Sequence, residues 1–236
     1  MKRDHQSMLT RFSSFWWGDT GLSSLLLLLL LAFMLAPLLE SGLGKILASL
    51  FMSLLMLSGV ATVSDKRLPR MGAGAVALVS IILTWLKHFN PESRPLQLGS
   101  TAVTLCYLVL LTVVVMRHVY QDGPVTSSRV QGAIAAYILV GLTWAMIYRL
   151  FELQLPGSLS TPSITLGQTP HDREEELTYF SFVTLTTLGY GDIVPLHPSA
   201  RMFVVIEALI GQLFPATLLA RLVSLETSNR GQKNGE

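Results

Sequence analysis

Thr187-Leu188-Gly189-Tyr190-Gly191-Asp192 is the segment of this chain whose residue types and spacing point most directly to chemistry. The useful groups are backbone carbonyls. Glycine at alternate positions permits φ > 0, which turns successive carbonyls toward one axis and costs a residue with a Cβ far more. A column of such oxygens, supplied by several copies of the loop, replaces the water shell of a dehydrated cation. Thr187 adds a hydroxyl at the inner end, while the Tyr190 ring can turn away from the axis and brace the loop from behind. Thr184, Thr186 and Thr187 lead into the segment, and Asp192 and Pro195 follow it.

Such a loop needs membrane elements to hold it, and composition supplies them. Half of the 236 residues are apolar and 14% are charged, with a mean hydropathy of +0.51. These values predict a polytopic membrane protein rather than one or two soluble domains. The net charge of +2 reads as loop charge that orients the chain, so no nucleic-acid partner is expected. The single cysteine, Cys106, excludes an intrachain disulfide and reads as a small buried side chain. No phosphate-cradling loop, metal-ligand cluster or nucleophile elbow is present, so neither an enzyme nor an organic cofactor is expected.

Six apolar segments approach the roughly 20 residues that a helix needs to cross a bilayer. They are Leu22–Leu39, Leu43–Val63, Met71–Leu86, Thr101–Met116, Gln131–Tyr148 and Arg201–Val223. A seventh, Leu177–Leu188, is too short; it suits a re-entrant helix running into irregular backbone, tolerated at membrane depth only beside a water-filled path. With the N-terminus inside, 11 of the 17 Lys and Arg residues fall on the cytoplasmic side, which places both termini in the cytoplasm. The predicted organisation is a cytoplasmic segment 1–21, a four-helix front domain 22–120, a pore domain 129–224, and a short frayed tail 225–236. The expected fold class is an all-α membrane protein with six transmembrane helices, a re-entrant pore helix and a filter loop in each subunit.

The run Phe182-Val183-Thr184-Leu185-Thr186-Thr187-Leu188-Gly189-Tyr190-Gly191-Asp192, followed by Pro195, resembles the pore module of the tetrameric potassium-channel superfamily. The resemblance covers about 131–223; the front half is similar to the six-transmembrane branch in helix count alone. It implies that Thr187, Leu188, Gly189 and Tyr190 line the K⁺ sites with carbonyls, Thr187 adding its hydroxyl, and that Gly191 and Asp192 form the outer end. Leu188 stands where the family most often has Val. Val183 stands where some relatives place a carboxylate that pairs with the filter Asp, so that coupling is absent. Gly211 matches an inner-helix glycine regarded as a gating hinge, though it also reads as a packing glycine. Pro215 deletes one helix hydrogen bond and favours a kink.

Glu207 is the one acid within the last span, and an ionisable residue there is expensive to bury. It reads either as a functional group facing pore water or the hydroxyls of Thr184 or Thr186, or as a hydrogen-bonding residue behind the filter, where it can be charged or protonated. With Thr184, Thr186 and Asp192 it forms the expected filter support. The segment between Tyr148 and Leu177 reads as a long outer loop carrying Glu152, Asp172, Glu174, Glu175 and Glu176 against Arg173 alone. These acids suit a cation-attracting vestibule or the first turn of the pore helix.

The fourth span has no Arg or Lys at three-residue spacing, the arrangement that steep voltage gating requires. The short tail leaves no room for a cytoplasmic ligand-binding domain. The expectation is a voltage-insensitive, passive, K⁺-selective homotetramer in a bacterial inner membrane, whose partners are three further copies, membrane lipid and K⁺. The alternatives are a non-selective monovalent cation channel, a transporter membrane subunit, or a non-conducting regulatory subunit.

Overall fold

The computed structural model describes residues 20–35, 42–62, 67–90, 92–121, 126–160 and 170–233. Among these, seven helices and one short ribbon follow in order: α1 (Thr20–Leu35), α2 (Gly42–Thr62), α3 (Arg67–Phe89), α4 (Arg94–Tyr120), α5 (Ser127–Gln154), β1 (Leu159–Ser160), α6 (Pro170–Leu185), β2 (Val194–Pro195) and α7 (Pro198–Lys233). Helix is what these segments must form, because within hydrocarbon every backbone N–H and C=O has to be satisfied inside the segment. Among the described residues, three helices can cross a membrane by length and apolar content: α4, α5, and α7 over Pro198–Arg221. Met71–Lys87 of α3 is a shorter apolar stretch. The six expected spans all overlap helices. Residues 1–19 and the turn at Asp122-Gly123-Pro124 lie outside the described residues.

The chain forms two compact units, and both draw on the front and back halves of the sequence. One comprises Met1–Ala75, Leu111–Ala136 and Leu222–Glu236; the other comprises Val76–Leu110 and Tyr137–Arg221. In the first, α1 packs on α2. Leu25, Leu26 and Leu29 of α1 and Leu55 and Met56 of α2 are buried there, and the Ser24 and Ser58 hydroxyls lie 3.3 Å apart.

The second unit contains the filter segment. Its core gathers Trp144 and Tyr148 of α5, Leu159 of β1, Leu177 and Phe180 of α6, and Ile193. The rings interlock edge to face: Tyr148 meets Phe180 at 5.0 Å and Trp144 meets Phe203 at 6.0 Å, a geometry that adds about 0.5–1.5 kcal/mol per pair beyond area burial. β1 and β2 pair antiparallel, Leu159 opposite Pro195 and Ser160 opposite Val194. The segment after α5 is thereby tied to the segment that leaves the filter.

Three expectations are corrected. The stretch past Val223, expected to fray, is helical as far as Lys233; once a helix is nucleated each added residue gains a hydrogen bond, and no proline interrupts that stretch. The long outer loop is shortened from both ends, as α5 runs on to Gln154 and α6 begins at Pro170. Cys106 is exposed on α4; in a chain rich in membrane-length helices an apolar run does not imply a buried side chain.

Candidate functional site

The filter segment starts as the cap of α6. The Thr187 N–H donates to the Thr184 carbonyl at 2.9 Å and the Leu188 N–H to the Val183 carbonyl at 3.0 Å. These are the paired bonds of a Schellman cap, whose left-handed position is usually glycine. Here it is Thr187, at φ 59°, a conformation that costs an L-residue about 1–2 kcal/mol. The Gly189 N–H adds a third bond, 3.3 Å, to the Val183 carbonyl.

Positive φ then recurs at every second residue: Thr187, Gly189 at 57° and Gly191 at 78°. Leu188 and Tyr190 lie between them without it. The alternation is what a strand needs to present its carbonyls along one axis, and two of its three positions are glycine, where it costs little. Residues 187–192 are all exposed in the single chain. Tyr190 is 68% exposed.

Behind the loop, the Tyr179 hydroxyl donates to Asp192 Oδ2 at 2.7 Å, and the Ile193 N–H donates to Asp192 Oδ1 at 3.0 Å. The Tyr179 hydrogen bond, aided by backbone N–H donors, holds the Asp192 carboxyl below the usual carboxylate range, and the same bond pushes the Tyr179 phenol up. Sequence reasoning missed Tyr179. A signal was available: it lies four residues, one helical turn, before Val183 and so shares that face of α6.

The remaining expected support residues sort differently. Thr184 is buried. The Thr186 hydroxyl donates back to the Phe182 carbonyl at 2.6 Å. Glu207, 0% exposed, meets neither of the threonine hydroxyls proposed for it. Its Oε1 lies 2.6 Å from the Ser181 hydroxyl and its Oε2 accepts from the Tyr148 hydroxyl at 2.5 Å. Ser181 and Thr184 are three positions apart, so they are neighbours on the surface of α6, and sequence spacing alone did not separate them.

Gly211 sits at the crossing of α7 and the end of α6. A Cβ there would lie 2.7 Å from the Leu185 carbonyl carbon, so the close approach requires glycine. α7 passes through Gly211 and Pro215 as one helix; Pro215 has no N–H to give the Gly211 carbonyl one turn earlier. The Leu185 carbonyl accepts the Tyr137 hydroxyl at 3.1 Å, and the Tyr137 ring stacks on Phe214 at 5.9 Å. A second close approach joins α5 to α6, where a Cβ on Gly141 would lie 2.7 Å from Cε1 of the Phe182 ring.

At the other end of α6 most of the expected vestibule acids are paired. Glu174 bonds Lys87 of α3 at 2.6 Å and lies 3.7 Å from Arg149 of α5. Arg173 bridges Glu152 at 2.9 Å and Glu176 at 3.1 Å. Arg94 of α4 donates to the Leu153 carbonyl at 2.8 Å. Lys87, Arg149 and Arg173 therefore gather around the start of α6.

Residues 163–228 match the profile of a family described as Ion channel. The chain is also similar to curated potassium channels. It is 38% identical to Two pore potassium channel c of Oryza sativa subsp. japonica over 91 residues, 39% of this chain and 17% of the relative. It is 27% identical to Voltage-gated potassium channel Kch of Escherichia coli strain K12 over 137 residues, 58% of this chain and 28% of the relative. Protein LctB of Bacillus caldotenax is 36% identical over 94 residues, 37% of this chain and 64% of its own length. The matches span less than a third of the rice and E. coli relatives.

Proposed function

We propose that the chain is the subunit of a homotetrameric, passive, K⁺-selective channel, with Thr187, Leu188, Gly189, Tyr190 and Gly191 lining the ion path. The observation that carries this reading is the positive φ at 187, 189 and 191 in a loop that is wholly exposed in one subunit. A single strand cannot enclose an ion, so an exposed, carbonyl-aligned strand calls for symmetric copies around one axis. The ion-channel match over residues 163–228 and the potassium-channel relatives support it.

α7 supplies the rest of the path. Met202, Val205, Ile206, Leu209, Ile210 and Leu213 form an exposed apolar stripe at helical spacing, on the face away from Glu207, Gly211 and Phe214. In the tetramer this stripe meets neighbouring subunits and the inner cavity. Conduction is knock-on between adjacent carbonyl sites, without covalent chemistry or a cofactor. α4 carries Arg94 at its start and Arg117 and His118 in its last turn. Such sparse charge supports weak voltage dependence, in contrast to the name of the E. coli relative. The charge bias supports a cytoplasmic placement of both termini, and inner-membrane residence is part of the same reading.

Purified chain reconstituted alone and recorded in asymmetric K⁺/Na⁺ solutions tests the reading. A reversal potential near that of K⁺, with Ba²⁺ block, is expected. Equal Na⁺ and K⁺ permeation would favour the non-selective channel, and silence would favour a regulatory or transporter subunit.

A further inference from the structure

Three helices meet at Ser181, and the count of protons there is informative. The Ser181 Oγ lies 2.7 Å from the Gly141 carbonyl oxygen and 2.6 Å from Glu207 Oε1. A serine hydroxyl has one proton to donate. A carbonyl oxygen has none, so both contacts are hydrogen bonds at once only when the Ser181 proton goes to Gly141. The contact with Glu207 is then a hydrogen bond only if Glu207 supplies its own proton; otherwise a carboxylate oxygen and a hydroxyl oxygen face each other with no proton between them. The other carboxyl oxygen already accepts from the Tyr148 hydroxyl.

We propose that Glu207 is held as a neutral carboxylic acid and acts as a positioning residue for the filter. One directed chain of hydrogen bonds runs from the Tyr148 hydroxyl to Glu207 Oε2, and from the Glu207 Oε1 proton to Ser181 and on to the Gly141 carbonyl. It joins α5, α6 and α7 two turns before the residues that cap α6 and begin the filter. Burial agrees with this: Glu207, Ser181 and Tyr148 are each 0% exposed, and among the described residues no Lys, Arg or His forms an ion pair with Glu207. An isolated carboxylate in such a place is strongly disfavoured. The titratable groups facing it are Tyr148 and, through its electrostatic interaction, Tyr137, both on α5. The group it bonds on α6, Ser181, is uncharged. Ionising Glu207 leaves Ser181 with two acceptors and one proton, so either the α5–α6 bond or the α6–α7 bond is lost.

The conduction part of the proposal rests on the channel reading; the protonation part does not. Glu207→Gln keeps a donor for Ser181 and an acceptor for Tyr148, whereas Glu207→Ala keeps neither. In the full-length protein at neutral pH, infrared difference spectra of wild type against E207Q are expected to show a protonated-carboxyl band, shifted in D₂O and missing from E207Q. In liposomes, E207Q is expected to assemble and to pass K⁺ at the wild-type rate, and E207A to lose assembly or flux. Wild-type flux should fall as pH rises far enough to ionise the group, while the E207Q profile stays flat. The absence of a protonated-carboxyl band, failure of E207Q to assemble, or the same alkaline profile in both proteins would overturn the proposal. Absence of flux in every variant, with the band present, would instead sink the channel reading and leave the protonation standing.

Discussion

Gly211 of the last helix lies against the backbone of Leu185, the final residue of α6, at a distance that admits no Cβ. The contact explains a glycine in the middle of a long helix, where Ala would be favoured by about 1 kcal/mol. Overpacking against backbone, which cannot rotate aside, costs typically about 1–3 kcal/mol, so crowding wins. Gly211→Ala should lower the melting temperature of the detergent-solubilised assembly or shift it toward monomer on sizing. Gly72→Ala in α3, where a Cβ would meet nothing within 4 Å, is the control and should be neutral or stabilising. Equal melting temperatures for G211A and wild type would show that the helix crossing yields easily.

Gly189→Ala places a Cβ at φ 57°, a strain of about 1–2 kcal/mol in each subunit. The strand relieves it by rotating carbonyls off the axis. Flux assays should show loss of K⁺ conduction or of selectivity over Na⁺, while membrane insertion and expression stay normal. Unaltered selectivity in G189A would remove the filter assignment.

The Tyr179–Asp192 bond predicts a shift in acid sensitivity. A carboxyl held below its ordinary range keeps its charge, and the brace that depends on it, until the pH falls through the lowered value. Tyr179→Phe removes the largest cause of the lowering, so loss of current on acidification should begin at higher external pH in Y179F than in wild type. Current titrated on the Asp192 side measures this directly. Identical profiles would mean that Asp192 does not govern the acid limb.

Lys87 and Glu174 join α3 to the start of α6, with side chains 22% and 21% exposed. A partly exposed pair of this kind contributes up to about 1 kcal/mol, and salt weakens it. A double-mutant cycle with K87A and E174A, read by thermal unfolding, should give coupling of that size at low salt and less at high salt. Additivity within error at low salt would leave the pair without energetic consequence.

Some of this protein was open to reading from residue order alone. Apolar length and sparse charge announce membrane-length helices, because hydrocarbon forces backbone bonding to be local. Alternating glycines announce positive φ at 189 and 191, because glycine is the residue that adopts it cheaply. The acids at 172, 174 and 175 announce the first turn of α6, since negative charge favours a helix N-terminus. What local chemistry does not carry is which groups meet across helices. Thr187 takes the left-handed cap position against its own propensity because two α6 carbonyls, at Val183 and Thr184, need donors. Tyr179 reaches Asp192, and Glu207 finds Ser181 and Tyr148 rather than Thr184 or Thr186, through the rotation of α6 against α5 and α7. That rotation is decided by packing, with Gly141 under the Phe182 ring and Gly211 against Leu185, and packing is a property of three helices together that the spacing along one of them does not encode.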